Sequence, residues 1–440
     1  MTAKPLAPEL ETEALDEAAA HDPGRTSMLA ALEYRDFRLF WIGLVVSNIG
    51  TWMQQFGLGW LIVQLAIRGG MPQLAPLYLG LVGLARAIPG LLFGLFGGVV
   101  ADRADRRRLL ILTQSSAATI AAILGILTIA GQINIVEILL LSALNSIVFS
   151  FDAPTRQAMV RRLVSDRELM SAIGLNSAAF NGATLVGPLV GGVLLIPFGV
   201  GGLMLINAFS YVAIVGALVL MRPQPVQAAG RPVIDSIREG LAFIRRDPAL
   251  RWAIALSIAT ALLTRPYVQL LPAEAQFLRA DAIELSWLLA ASGTGALAGA
   301  LVTASLGAWR RRGALLIAAA FAHGSLLIFF GTQRSVIGAM LFVGLTSLAV
   351  MVFLGMANTL MQTRTPDEMR GRAMSVYTMV FMGFMPLGQM LLGALGTFVG
   401  INNAFVAGGI LVTTLAGYAA LRVSALRDAV AAPRVRAAAT

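Results

Sequence analysis

An acid followed closely by several arginines can act as a charge switch, and the sequence contains one: Gly98-Val-Val-Ala-Asp102-Arg103-Ala-Asp105-Arg106-Arg107. Asp102 can accept from an arginine or from the free N–H groups of a neighbouring helix start. Contacts of that kind can be broken and remade, which would let two rigid bodies rock. The competing reading is a plain cationic anchor at a membrane boundary. A second set, Asn145, Phe149, Asp152 and Arg156, is spaced 4, 3 and 4 apart, so a helix carries all four on one face. Asn48, Trp52, Gln55 and Gly59 share a face in the same way. Arg265 and Gln269 do too, with Tyr267 beside them. Polar groups so arranged could hold a small molecule; for Arg265 the alternative is a structural bond to a carbonyl. Titratable groups are few. Arg86, Glu137, Glu274 and His323 are the candidates for proton coupling, and Arg86, a deep cation, is read equally as structural or functional. Nine residues separate Arg265 from Glu274, which puts them on opposite faces of a straight helix unless Pro266 or Pro272 changes the path.

Other chemistries are excluded by residue type. The chain has no cysteine, hence no disulfide, thiolate nucleophile or iron–sulfur cluster. Its two histidines, His21 and His323, cannot form a histidine-rich metal centre, and its one lysine, Lys4, leaves no Walker loop for ATP. No set of acids and histidines faces itself as in an enzyme. The sequence implies neither cofactor nor metal.

The elements that must position these residues are membrane helices. Of 440 residues 57% are hydrophobic and 13% charged, against about 25% charged in soluble domains. Apolar runs fall near 38–66, 75–101, 109–131, 135–153, 169–196, 200–221, 251–278, 285–307, 313–331, 336–361, 373–399 and 401–422. In a lipid core such runs satisfy their own backbone hydrogen bonds as helices. The expected fold is therefore all-α: a polytopic membrane protein with twelve transmembrane helices in two pseudo-symmetric six-helix bundles. The expected division is a cytoplasmic tail over 1–34, a bundle over 35–221, a linker over 222–250, a second bundle over 251–423 and a tail over 424–440. In the linker Val233, Ile237, Leu241 and Ile244 recur at helical spacing, which describes an amphipathic helix on the inner membrane surface.

With both termini placed inside, 28 basic residues fall on the inner side and three, Arg68, Arg279 and Arg334, on the outer. That asymmetry fixes the expected topology. It also accounts for the net charge of +10 without nucleic acid.

The halves echo each other. Arg35-Asp36 and Trp41 match Arg246-Asp247 and Trp252; Gly94 with Arg106-Arg107 matches Gly299 with Arg311-Arg312; Pro188 matches Pro386. The offsets cluster near 200 residues and indicate a duplicated unit with both copies in one orientation.

The loop G-x-x-x-D-R-x-x-R-R between the second and third spans resembles the signature of the major facilitator superfamily, which usually has glycine where Asp105 stands. Gly187-Pro188-Leu-Val-Gly191-Gly192 in the fifth span resembles that family's antiporter motif, with Ala183 in place of one upstream glycine. Phe151-Asp152-Ala-Pro154-Thr-Arg156 and Arg246-Asp247-Pro248 resemble its drug and metabolite:proton antiporter branch, that of the bacterial enterobactin exporter and macrolide efflux proteins. The resemblance implies a monomeric bacterial inner-membrane exporter that works with protons and the lipid bilayer on a small organic substrate by alternating access. Importers or facilitators, and a non-transporting sensor or lipid-handling protein, are the rival readings. In that family spans one, four, seven and ten line the path. This makes Asn48, Trp52, Gln55, Asn145, Phe149, Arg265, Tyr267 and Gln269 the expected substrate contacts. The expected gate is Gly98, Asp102, Arg103, Arg106, Arg107, Asp152 and Arg156.

Overall fold

The computed structural model describes residues 29–222, 233–306, 309 and 311–429; the side chains of 95–99, 101–103, 233–237 and 382 are outside the described set. Most of both expected tails, and the side chains of Gly98, Asp102 and Arg103, therefore lie outside the described residues.

The described residues form helices and no strand. The first four spans are Arg35–Arg68, Ala75–Arg103, Arg106–Ile129 and Ile135–Leu163. One helical run, Leu169–Leu220, holds the fifth and sixth. After a helix at Val233–Arg246, the seventh span comes in two pieces, Pro248–Leu263 and Tyr267–Phe277. The eighth to twelfth are Ala282–Ser305, Arg312–Gly331, Val336–Arg364, Asp367–Val399 and Ile401–Arg422. Ten of these segments are long and apolar enough to cross a membrane. Leu169–Leu220 supplies two crossings, because Gly199 with φ +64° reverses the chain inside it. Arg35–Arg68 has 34 residues, ample to span a bilayer, but its Asn48, Gln54, Gln55 and Gln64 lower its hydropathy. The described residues are thus compatible with twelve crossings.

Caps fix where several spans begin. Asp105 accepts from the backbone N–H groups of Arg107 and Arg108, so the residue that departs from the family signature starts the third span. Glu137, expected among the proton carriers, closes a capping box with Asn134 at the start of the fourth span. Asp247 caps the seventh span and also pairs with Arg364 at the end of the tenth, at 3.1 Å.

One end of the molecule carries the arginine-rich connections, and both described chain ends lie there. Towards the opposite end the two sets of six spans meet through glycines. A Cβ on Gly59 would lie 2.6 Å from Pro272, one on Gly80 3.0 Å from the Cα of Met390, and one on Gly293 3.2 Å from the Cα of Leu185. Such close backbone approach is what glycine permits in membrane helices. The helix Val233–Arg246 docks on the eleventh span, with Gly240 against the Arg372 carbonyl, Glu239 paired with Arg372, and Ile244 buried. It is thus held by the second set of spans as well as amphipathic.

Candidate transport cavity

Between the two sets of spans lies a cavity of about 610 Å³. The first span contributes Asn48, Trp52 and Gln55, the second Arg86, the fourth Asn145, Phe149, Asp152 and Arg156, and the seventh Gln269. Further walls come from Thr113 and Gln114, Asn176 and Phe180, Tyr211, and Pro386 with Gln389. The tenth span does not line it. Nine of the 26 lining residues are asparagine or glutamine. A wall of this kind offers both donors and acceptors and few fixed charges.

Asp152 is the centre of its polar network. The carboxylate is almost fully buried and pairs with Arg156 one helical turn on. It also accepts from Thr113 Oγ1 at 3.0 Å and Gln114 Nε2 at 2.6 Å on the third span. Arg156 in turn reaches Asn48 Oδ1 on the first span at 3.4 Å. One carboxylate therefore ties three helices of the first set together, and every contact stays within that set.

Arg86 has a different environment. Its Nη1 donates to Gln55 Oε1 at 2.9 Å, its backbone carbonyl accepts from Ser146 Oγ at 2.6 Å, and its Nε is buried without a partner. From the far wall Gln389 Nε2 donates to the Leu79 carbonyl at 2.8 Å, bridging the eleventh and second spans.

The Gly187-Pro188 segment packs in two directions. A Cβ on Gly187 would lie 2.5 Å from Trp52 Cβ and 3.0 Å from the Met53 nitrogen, and one on Gly191 would lie 2.7 Å from Phe56. Both therefore hold the fifth span against the first. Gly192 instead faces Ser286 of the eighth span, 2.5 Å from its Oγ, across the boundary between the two sets.

Several expected contacts fall elsewhere. Tyr267 is fully buried, its hydroxyl bonded to Ser347 at 2.5 Å, and it lines no part of this cavity. Arg265 sits in the break of the seventh span, outside the lining; Pro266, which lacks an N–H, follows it and opens the second piece. That break turns the chain so that Gln269 reaches the cavity and Arg265 does not. His323 bridges the same break, with Nδ1 3.2 Å from the Thr346 carbonyl and Nε2 2.9 Å from Thr264 Oγ1. Glu274 is fully buried near the glycine-sealed end, and neither of its carboxylate oxygens has a hydrogen-bond partner. Arg107, expected in the gate, donates to the Leu218 and Val219 carbonyls at 2.5 and 2.6 Å, closing the C-terminal end of the sixth span. Arg106 has a partner of its own.

The family model described as "Transmembrane secretion effector" matches residues 26–437. The chain belongs to that family, within the major facilitator superfamily. The chain is 26% identical to the multidrug efflux pump Tap of Mycolicibacterium fortuitum, over 74% of this chain and 82% of Tap. It is 27% identical to the enterobactin exporter EntS of Shigella flexneri, over 72% of this chain and 77% of that one. The fold is also that of a bacterial homologue of the lysosomal transporter Spinster, solved inward-facing and unoccupied. There the TM-score is 0.68 at 14% identity, over 91% of this chain and 99% of the other.

Proposed function

We propose that this protein exports a small organic molecule across the bacterial inner membrane by alternating access, in exchange for protons. The observation that carries the reading is the cavity between the two sets of spans, bounded towards one end by glycine-mediated contacts and lined towards the other by Arg156 and Gln157. With the arginine-rich end in the cytoplasm, a substrate would enter from inside and leave once the glycine contacts part. The rocking bodies would be 35–221 and 251–423, with 222–250 between them. Efflux by Tap and EntS supports the direction. Gly192, against Ser286 at the boundary between the bodies, supports a role for that segment in their relative movement.

The exchanged proton needs a titratable carrier. Glu274, buried and unbonded, is the strongest group for it; Glu137 is engaged as a cap and His323 bridges three spans. The test is accumulation in cells of a panel of candidate compounds, with and without the protein. Lower accumulation that a protonophore restores is the expected result. Uptake that persists after the gradient collapses would make the protein a facilitator.

A further inference from the structure

We infer that the cavity selects molecules with an aromatic body and an anionic head (a carboxylate or a comparably ionised acid), with Arg86 as the anion receptor. This inference rests on the proposal that the cavity is the substrate path.

The argument begins with charge. Three described lining residues are ionic: Arg86, Asp152 and Arg156. Asp152 and Arg156 neutralise each other, and the carboxylate is further bound by Thr113 and Gln114. Arg86 is left over. It forms no ion pair with any described acid; its guanidinium meets one neutral acceptor, Gln55, and keeps a buried Nε–H unused. A cation held deep in a membrane protein is costly, and those that persist pair with something or mark a substrate path. Guanidinium presents a planar fork of donors that fits a carboxylate with two parallel bonds, and such bonds are stronger than those to neutral acceptors. The missing partner is then an anion that arrives through the cavity.

The surroundings fit the rest of such a molecule. Trp52 and Phe180 meet edge-to-face at 5.9 Å, and the half-exposed Phe149 also lines the cavity. Ring edges and faces of this kind hold an aromatic body. The Asn145 and Asn176 side chains have no hydrogen bond to a described residue, and Gln269 has a buried oxygen without one, so amides remain for hydroxyl or amide groups of the ligand. A cationic ligand would find no free carboxylate among the described lining residues and would face the field of Arg86.

The test uses two fluorescent probes with the same aromatic group and opposite charge, dansylglycine (a carboxylate) and dansylcadaverine (an ammonium), titrated against the purified full chain in lipid nanodiscs. The expected result is at least tenfold tighter binding of dansylglycine. Arg86→Gln should remove that preference and Arg86→Lys should keep part of it, with thermal unfolding recorded to confirm that each variant is folded. Phe149→Ala should weaken both probes alike. The inference is overturned if dansylcadaverine binds as tightly as dansylglycine, if neither binds, or if folded Arg86→Gln retains the preference. Each of those results leaves export to be decided separately by the accumulation assay, which measures direction and energy and not charge selection.

Discussion

Asp152 and Arg86 are both polar groups in the same cavity, yet substitutions there should fail in opposite ways. Asp152→Asn keeps acceptors for Thr113 and Gln114 but strands the Arg156 guanidinium. Breaking a buried pair from one side costs up to about 3–5 kcal/mol, so melting temperature and transport should both fall. Adding Arg156→Gln should restore much of the melting temperature without restoring transport. If the double variant melts as low as the single, the pair is not the source of the loss. Arg86→Gln removes a charge that has no acid beside it and should leave melting unchanged or raised. A third residue lies outside the spans. Glu168 accepts from the hydroxyls of Ser165 and, at 3.0 Å, Tyr34. The Ser165 bond, more than that from Tyr34, holds its carboxyl below the ordinary value. Any stability from this contact is present above the ordinary carboxylate range and is lost as pH falls through the lowered folded value. Glu168→Gln should accordingly lower the neutral side of a melting-temperature profile towards its acid level and leave the acid side as it is.

At the scale of elements, the glycines of the Gly187-Pro188 segment divide into two kinds. Gly187→Val would drive a side chain into Trp52 and the backbone of Met53 in the first span, where backbone cannot yield. A loss of about 1–3 kcal/mol is expected, as for other overpacked sites, with lower expression and melting temperature. Gly192→Leu meets Ser286 across the boundary, so it should push the two bodies apart at that end without unfolding either. The absence of native cysteine makes this measurable: Ser177→Cys in the cavity wall should alkylate more slowly in the Gly192→Leu background. An unchanged rate would mean that Gly192 is only a packing residue. Much of this architecture was legible in the sequence, because bilayer thickness imposes run length, and glycine and proline mark close approach and bends. The break at Thr264–Pro266 was not, since a proline in a span can bend a helix or interrupt it, and only tertiary packing decides which. The same break accounts for the site residues: Arg265 and Gln269 share a face on an ideal helix but not on one reset at Pro266. Gln114, Asn176 and Gln389 were visible as amides in apolar runs, but their walls depend on how spans tilt, which spacing along one helix does not encode.

For the whole molecule, the arginine asymmetry and the shape of the cavity bear on the same orientation. A cysteine placed at Arg108 should react with a membrane-impermeant maleimide in inside-out vesicles and stay protected in intact cells. Labelling from outside would reverse the topology and with it the proposed direction of export. The duplicated unit was readable from offsets near 200 residues, whereas the uneven cavity, walled mostly by the first set of spans, was not. A repeat in sequence implies equivalent helices, but equal use of them depends on where polar side chains have accumulated.

The docking of Val233–Arg246 has a consequence for covalent continuity. Gly240, Glu239 and Ile244 bind this helix to the second set of spans, so the polypeptide between the two bodies could be severed upstream of it without loosening either. Two separately encoded fragments, 1–228 and 229–440, should therefore assemble in the membrane into a working transporter. Moving the cut to 247, so that the docking helix is left on the wrong fragment, should abolish much of that recovery. A working pair from the first cut and a failed pair from the second would identify this helix as a structural part of the second body, with the peptide ahead of it serving only as a tether.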